Sequence, residues 1–224
     1  MARLSRRLRD SLAELRRLCR VHRSFQELRR GALELVRTAL LADAAALLLT
    51  DPQTFLAVDA EVYGFGSRGA SHFFREVYLQ RERVSFLDLK AVGEPVSLLS
   101  AYTDGRPSLE PRYREVYRPA GLEYEARACL GSAGAYWGGL CLARGAGGRD
   151  FNNAELLFLR RLGPDLADAI RTCRAREAMG SAPAGGTAIL VVDRADRILF
   201  RTRDAEGILD GLGLRPPADG TFPG

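Results

Sequence analysis

Lysine is almost missing from this chain: Lys90 is the only one among 33 basic residues. An Ala- and Arg-rich, Lys-poor composition points to a GC-rich bacterial genome, so part of the net charge of +5 reflects codon usage. Histidine is equally scarce. His22 and His72 stand alone and far apart, with no HExxH and no carboxylate-rich ligand set. A haem ligand or metal centre is therefore not expected. The four cysteines (Cys19, Cys129, Cys141, Cys173) form no CxxC pair, which reads as reduced thiols rather than a disulfide frame or zinc site. The longest apolar run, residues 39–49, is broken by Asp43 and is far short of the ~20 residues that cross a bilayer. The Arg-rich N-terminus has no apolar stretch behind it to make a secretory signal. Cytoplasmic residence without membrane contact is the expectation. The Gly tracts at 145–148 and 185–186 have neither the GxxxxGK[ST] nor the GxGxxG layout, so they are not phosphate loops.

What the chain does have is ordinary for a folded protein: 224 residues, 46% hydrophobic and 27% charged. Its charge is unevenly placed. Residues 1–40 carry 11 Arg against Asp10, Glu14, Glu27 and Glu34, a net of +7, which leaves −2 for the rest. One end is basic and the body is nearly neutral.

Residues 3–40 read as one long helix, bent at most once, with Leu4, Leu8, Leu12, Leu15, Leu18, Leu28 and Leu35 on one stripe. The first half precedes any sheet that could cover it. Exposed leucines worth ~1.5–3 kcal/mol each on burial seek a partner helix. That partner is expected to be a second copy of the chain or the later long helix, which makes Leu4, Leu8, Leu12 and Leu15 candidate dimer-interface residues. The arginines around this stripe read as the solvated rim of a helical dimer. Direct nucleic-acid binding through phosphate contacts is the alternative, and the lack of interleaved aromatics counts against it.

Further along, residues 44–49 and 54–60 predict a hairpin around Asp51-Pro52. Residues 68–79 have helical spacing, 95–99 predict a short strand, and 111–117 a short helix stopped by Pro119 and Gly121. Strands at 122–130 and 136–143 flank a turn at 131–134. In the first, Leu122, Tyr124, Ala126, Ala128 and Leu130 alternate with Glu123, Glu125, Arg127 and Cys129. That pairing sets Cys129 opposite about Trp137 and Cys141 opposite about Glu125, too far apart to bridge, and argues against thiol catalysis. A second long helix starts at Asn152 or Asn153, with Glu155 completing a cap and Pro164 kinking it. A Gly/Ala/Pro-rich linker covers 179–186. Beyond it, residues 187–193 and 197–200 predict another hairpin with a short helix near 204–209.

This order resembles a GAF domain, and the likeness is most specific between Arg118 and Cys173. It rests on Pro119-Ala120-Gly121-Leu122-Glu123-Tyr124-Glu125, on Tyr136-Trp137-Gly138-Gly139-Leu140-Cys141-Leu142-Ala143-Arg144, and on Asp150-Phe151-Asn152-Asn153-Ala154-Glu155. The combination is similar to the sensor region of bacterial transcription regulators that end in a LuxR-type helix-turn-helix. The resemblance implies an α+β fold, a GAF-like antiparallel sheet with flanking long N- and C-terminal helices. It divides the chain into an N-terminal dimerisation helix (1–40), a GAF-like sensor domain with its C-terminal helix (41–178), a linker (179–186) and a partial PAS-like segment (187–224). It also implies a small-molecule pocket between the sheet and its covering segments, with Phe73, Tyr78, Tyr102, Tyr117 and Tyr124 as candidate walls.

No helix-turn-helix lies within these residues, so a truncated regulator, an isolated sensor piece or a protein that has lost its output is the expectation. DNA is expected only through that missing C-terminal element. The implied function is a homodimeric, non-enzymatic regulatory module without a cofactor, its ligand unknown. A purely structural interaction module is the alternative.

Overall fold

The computed structural model describes residues 3–21, 24–52, 57–65, 86–91, 93–132, 134–180, 190–192, 198–201 and 205. The basic N-terminal segment is two helices, α1 (Arg6–Val21) and α2 (Phe25–Ala39), rather than one. A straight helix would hold Leu18 and Gly31 ~20 Å apart, at ~1.5 Å per residue. Instead the Leu18 side chain lies so near Gly31 that a Cβ there would meet it at 2.9 Å. The two helices therefore fold back on each other. A start signal for α2 is present in Ser24-Phe25-Gln26-Glu27: Ser24 caps the helix, its hydroxyl accepting from the Glu27 N–H at 3.1 Å.

The folding-back decides the fate of the leucine stripe. Leu8, Leu12 and Leu15 are buried within the chain, in one core with Leu28, Leu33 and Val36 of α2. Leu4 is only 9% exposed. The partner expected for these four residues is thus supplied by the chain's own helices.

Five antiparallel strands form the sheet: β1 (Ala44–Thr50), β2 (Ala57–Tyr63), β3 (Val96–Leu98), β4 (Leu122–Ser132) and β5 (Ala135–Gly145), in the order β2-β1-β5-β4-β3. Two short helices, α3 (Phe86–Ala91) and α4 (Leu99–Tyr102), flank β3, and α5 (Asn153–Gly180) follows β5. Helix α5 continues through Pro164. Its start is capped reciprocally, as its sequence predicts: Asn152 Oδ1 accepts from the Ala154 and Glu155 N–H groups, and Glu155 Oε2 accepts from the Asn152 N–H at 2.8 Å.

On one side of the sheet, Ala45, Leu47, Leu49, Ala126, Ala128, Leu130, Leu140 and Leu142 share a core with α1, α2 and Leu159, Leu162, Leu166 and Ile170 of α5. Arg16 on α1 and Asp165 on α5 pair at 2.7 Å across this layer. Buried Arg144, at the end of β5, pairs with Glu155 at 2.8 Å and donates to the Leu40 carbonyl that ends α2. One guanidinium thus joins three elements at a corner.

The other side of the sheet has its own core of Ala44, Ala46, Leu48, Phe65, Phe86, Leu89, Val116, Tyr117, Leu122, Cys129, Cys141 and Ala143. The predicted helix at 68–79 lies outside the described residues.

The β4–β5 register differs from the sequence expectation by two residues. Ser132 pairs with Ala135, and a bulge between Leu130 and Gly131 adds a further shift, so Cys129 faces Gly139 and Cys141 faces Arg127. The two thiols become diagonal neighbours on one face. At ~7–8 Å, that relationship exceeds the Cα separation of a disulfide, and neither cysteine is in a disulfide.

Residues Met1–Cys173 form one compact unit and Arg174–Gly224 a second. In the second, β6 (Leu190–Val192) and β7 (Ile198–Arg201) pair antiparallel, the hairpin its sequence predicts. The predicted linker and final helix fall mostly outside the described residues.

Candidate functional site

An unbroken apolar strand must be covered on both faces, and β1, Ala44–Thr50, is buried at every position. The adjoining face of β5 and β4 is therefore enclosed as well. This changes the meaning of β4's polar alternates. Glu125 and Arg127 point into that enclosed layer, 1% and 0% exposed.

Their partners come from the segment before β4. Between Pro107 and Ala120 the chain makes a 3-10 turn, a π-helical turn over Tyr113–Tyr117 and another 3-10 turn. It ends at Gly121, whose φ of +71° suits glycine. A π turn brings residues i and i+5 over one another, and the Arg112 guanidinium lies 5.4 Å from the Tyr117 ring centre. Both side chains are buried, and both reach Glu125.

Glu125 is the hub. Its Oε2 accepts from Arg112 Nη2 at 2.6 Å and from the Tyr102 hydroxyl at 3.3 Å. Its Oε1 accepts from the Tyr117 hydroxyl at 2.5 Å and from Arg127 Nε at 3.0 Å. Arg112 Nη2 also donates to the Tyr102 oxygen at 3.0 Å. Burial, reinforced by the Glu125 charge, raises the Tyr117 hydroxyl well above the ordinary phenol range. It remains a protonated donor throughout the physiological range.

The apolar wall is set by glycine. A Cβ at Gly139 would meet the Phe86 ring at 2.6 Å, so only glycine lets α3 seat that ring on β5. The Arg127 guanidinium lies 5.1 Å from the same ring, a cation–π arrangement. Cys129 Sγ donates to the Phe86 carbonyl at 3.5 Å.

Of the five predicted pocket walls, Tyr102 and Tyr117 meet on Glu125. Tyr124 packs against the helix-side core instead, as its neighbouring position on β4 requires. Phe73 and Tyr78 lie outside the described residues. Sequence reasoning missed Arg112, Glu125 and Arg127: alternation alone marks Glu125 and Arg127 as solvent-facing, and Arg112 in its short helical segment carried no signal. The continuous apolar run in β1 was the available signal that both faces are covered.

A separate groove of about 520 Å³ lies at the other end of β4, lined by Cys129, Gly131, Tyr136, Leu159, Gly163 and Pro164 among others. Glu125 and Gly131 are ~20 Å apart along the strand. The groove holds no charge cluster, and its one lining cation, Arg160, is paired with Glu94 at 2.9 Å.

Among the described residues no group of His, Cys, Asp and Glu could hold a metal ion. No described helix is long and apolar enough to cross a membrane.

No family model and no curated protein matches the chain. Solved structures do. The GAF domain of a phosphoenolpyruvate-protein phosphotransferase from Coxiella burnetii aligns with a TM-score of 0.54 at 18% identity, covering 78% of this chain and 99% of that one. The GAF domain of the Acinetobacter phosphoenolpyruvate-protein phosphotransferase gives 0.54 at 18%, covering 77% and 97%. A domain of a two-component sensor histidine kinase protein from Sinorhizobium meliloti 1021 gives 0.52 at 19%, covering 71% and 99%. Identities this low speak for architecture alone. The five-stranded antiparallel sheet with its flanking helices is the fold of GAF domains.

Proposed function

We propose that the chain is a small-molecule-sensing regulatory module of a bacterial transcription regulator, homodimeric and non-enzymatic. Its ligand site would lie on the sheet face that carries Glu125. The observation behind this reading is the buried Arg112–Glu125–Arg127 network with Tyr102 and Tyr117. A buried ion network is a poor source of stability, since desolvating its charges offsets most of their attraction. Such a network is better accounted for by recognition or switching than by stability.

A ligand polar group that exchanges with one of Glu125's partners would move the segment holding Arg112 and Tyr117. Strand β4 and then α5 would follow. Such a switch needs a ligand that binds the two arrangements unequally. The similar domains of a phosphotransferase and a sensor histidine kinase make a regulatory setting reasonable, and the transcription-regulator setting rests on the sequence resemblance. Because the Leu4–Leu15 stripe is occupied within the chain, the proposed homodimer would use another surface.

The interaction-module reading has one observation in its favour. Glu125 already has four donors, so its site is closed upon itself.

Native mass spectrometry of freshly purified protein separates the two readings. Sensing predicts extra mass that leaves on denaturation, and the same spectrum reports oligomeric state. The variant R112M/E125L/R127M should stay folded, because apolar replacement of a whole buried ion network is often neutral or stabilising, and should lose that mass. A clean spectrum from the parent protein, or the same mass on the folded variant, would overturn the proposed site.

A further inference from the structure

Covering the leucine stripe inside the chain changes what the arginines of α1 can be. They are not the rim of a dimer contact made by that stripe. At 100° per residue along α1, Leu8, Leu12 and Leu15 fall on one side of the helix, while Arg6, Arg9, Arg17 and Arg20 fall on the other; Arg3 lies just before the helix. All five are exposed. The carboxylates Asp10 and Glu14 share this outward face, and Arg6 lies 4.0 Å from Asp10 on the helix surface. Among the described residues, no carboxylate pairs with Arg3, Arg9, Arg17 or Arg20. The remaining arginines of α1 differ: Arg16 is tied to Asp165, and Arg7 donates to the Ala39 carbonyl.

We propose that the outward face of α1 is a docking surface for the phosphate backbone of double-stranded nucleic acid, sequence-independent and electrostatic.

Three features of the face choose this partner. First, its cations are arginine, whose planar fork matches phosphate oxygens and which stays charged at any working pH. From Arg6 to Arg20 they extend ~21 Å along the helix, long enough to follow several phosphates. Second, the apolar side of α1 is already buried in the core. A helix lying in a membrane interface needs that side free, so an anionic lipid surface could be met only by charge. Third, no aromatic residue stands on the outward face to stack on unpaired bases, as single-strand binders use. Duplex phosphate is the anion array that a rigid row of arginines fits without either device.

The test is fluorescence anisotropy of a labelled 20-base-pair duplex of arbitrary sequence, titrated with the full chain between 50 and 200 mM KCl. Four arginines that pair with no carboxylate among the described residues predict a log–log salt slope of about −3.6, from about −0.9 per phosphate neutralised. The variant R9E/R17E/R20E should weaken binding at 50 mM by at least about 30-fold and flatten the slope by about 3. A control of equal charge change on another exposed surface, R106E/R114E/R118E, should weaken it less than about threefold, since distant charges are screened. Circular dichroism confirms folding of each variant, and R9Q/R17Q/R20Q replaces the reversal if it unfolds. The proposal is overturned if the parent does not bind duplex at 50 mM, if both triple variants lose affinity equally, or if vesicles of anionic lipid or a poly-glutamate peptide bind tighter than duplex.

Discussion

Helix side and loop side of the same sheet are built from different chemistry. On the helix side, Leu47, Leu130, Leu140 and Leu142 share one apolar core with Leu15, Leu28, Leu162 and Leu166, of a kind that tolerates reshuffling among residues of similar volume. On the loop side, one residue along the same strand, Glu125 and Arg127 are buried with Arg112 and Tyr117. The first layer holds the fold together by area removed from water. The second adds little net stability, yet fixes one arrangement of charges, because each member is costly to leave without its partners. A layer of the second kind is where a ligand can be recognised and where a small displacement has discrete alternatives.

Removing the hub should give the largest effect. Glu125→Ala leaves two buried guanidiniums without that carboxylate and should cost about 3–5 kcal/mol in urea unfolding. Leu140→Ala on the opposite face, a cavity rather than a lost charge, should cost about 2–5. The apolar variant R112M/E125L/R127M sets the two sides apart, since no Leu140 substitution can be compensated in that way. If Glu125→Ala were as mild as a surface change, the loop side would not be the charged core described here.

Next in size is Tyr117. Its phenol is raised by burial and by Glu125, so the folded protein holds that proton more tightly than the unfolded chain. The associated stability is fully present below the unfolded value of about 10 and is lost as pH rises through the folded value. Urea midpoints measured from pH 8 to 11.5 should fall more steeply for the parent than for Tyr117→Phe. At pH 8, Tyr117→Phe should cost about 1–3 kcal/mol for the donor it removes from Glu125. Parallel curves would break the assignment of the Tyr117–Glu125 hydrogen bond.

The smallest effect tests the helix side. Ser24→Ala removes the cap that starts α2 and should cost about 1 kcal/mol, read as a lower thermal midpoint with the same far-UV spectrum. No measurable change would mean that packing against α1 alone fixes where α2 begins.

Most of the sheet was legible. The apolar run at 44–49, the alternation after Gly121 and the capped start of α5 each carry a local pattern that survives into the fold. The N-terminal segment was half legible. Its stripe showed which face is buried, but a stripe does not say what buries it, and Ser24-x-x-Glu27 was the only local sign that the helix stops and restarts. The candidate site was least legible. Tyr102 and Tyr117 came from the resemblance, while Glu125 and Arg127 read as the polar side of an alternating strand and Arg112 carried no signal.

Periodicity, capping and turn residues are properties of neighbours along the chain, so the sequence by itself determined most strands of the sheet, the start of α5 and the basic character of α1. What covers a face is a property of distant segments brought together. Tertiary structure alone decided that α1 packs its leucines inside the molecule, leaving its arginines outward, and that Glu125 is enclosed with two arginines. The physical reason is the same in both cases. Burial is a long-range outcome, and the identity of a side chain sets only the free energy of being buried, not whether the fold will bury it.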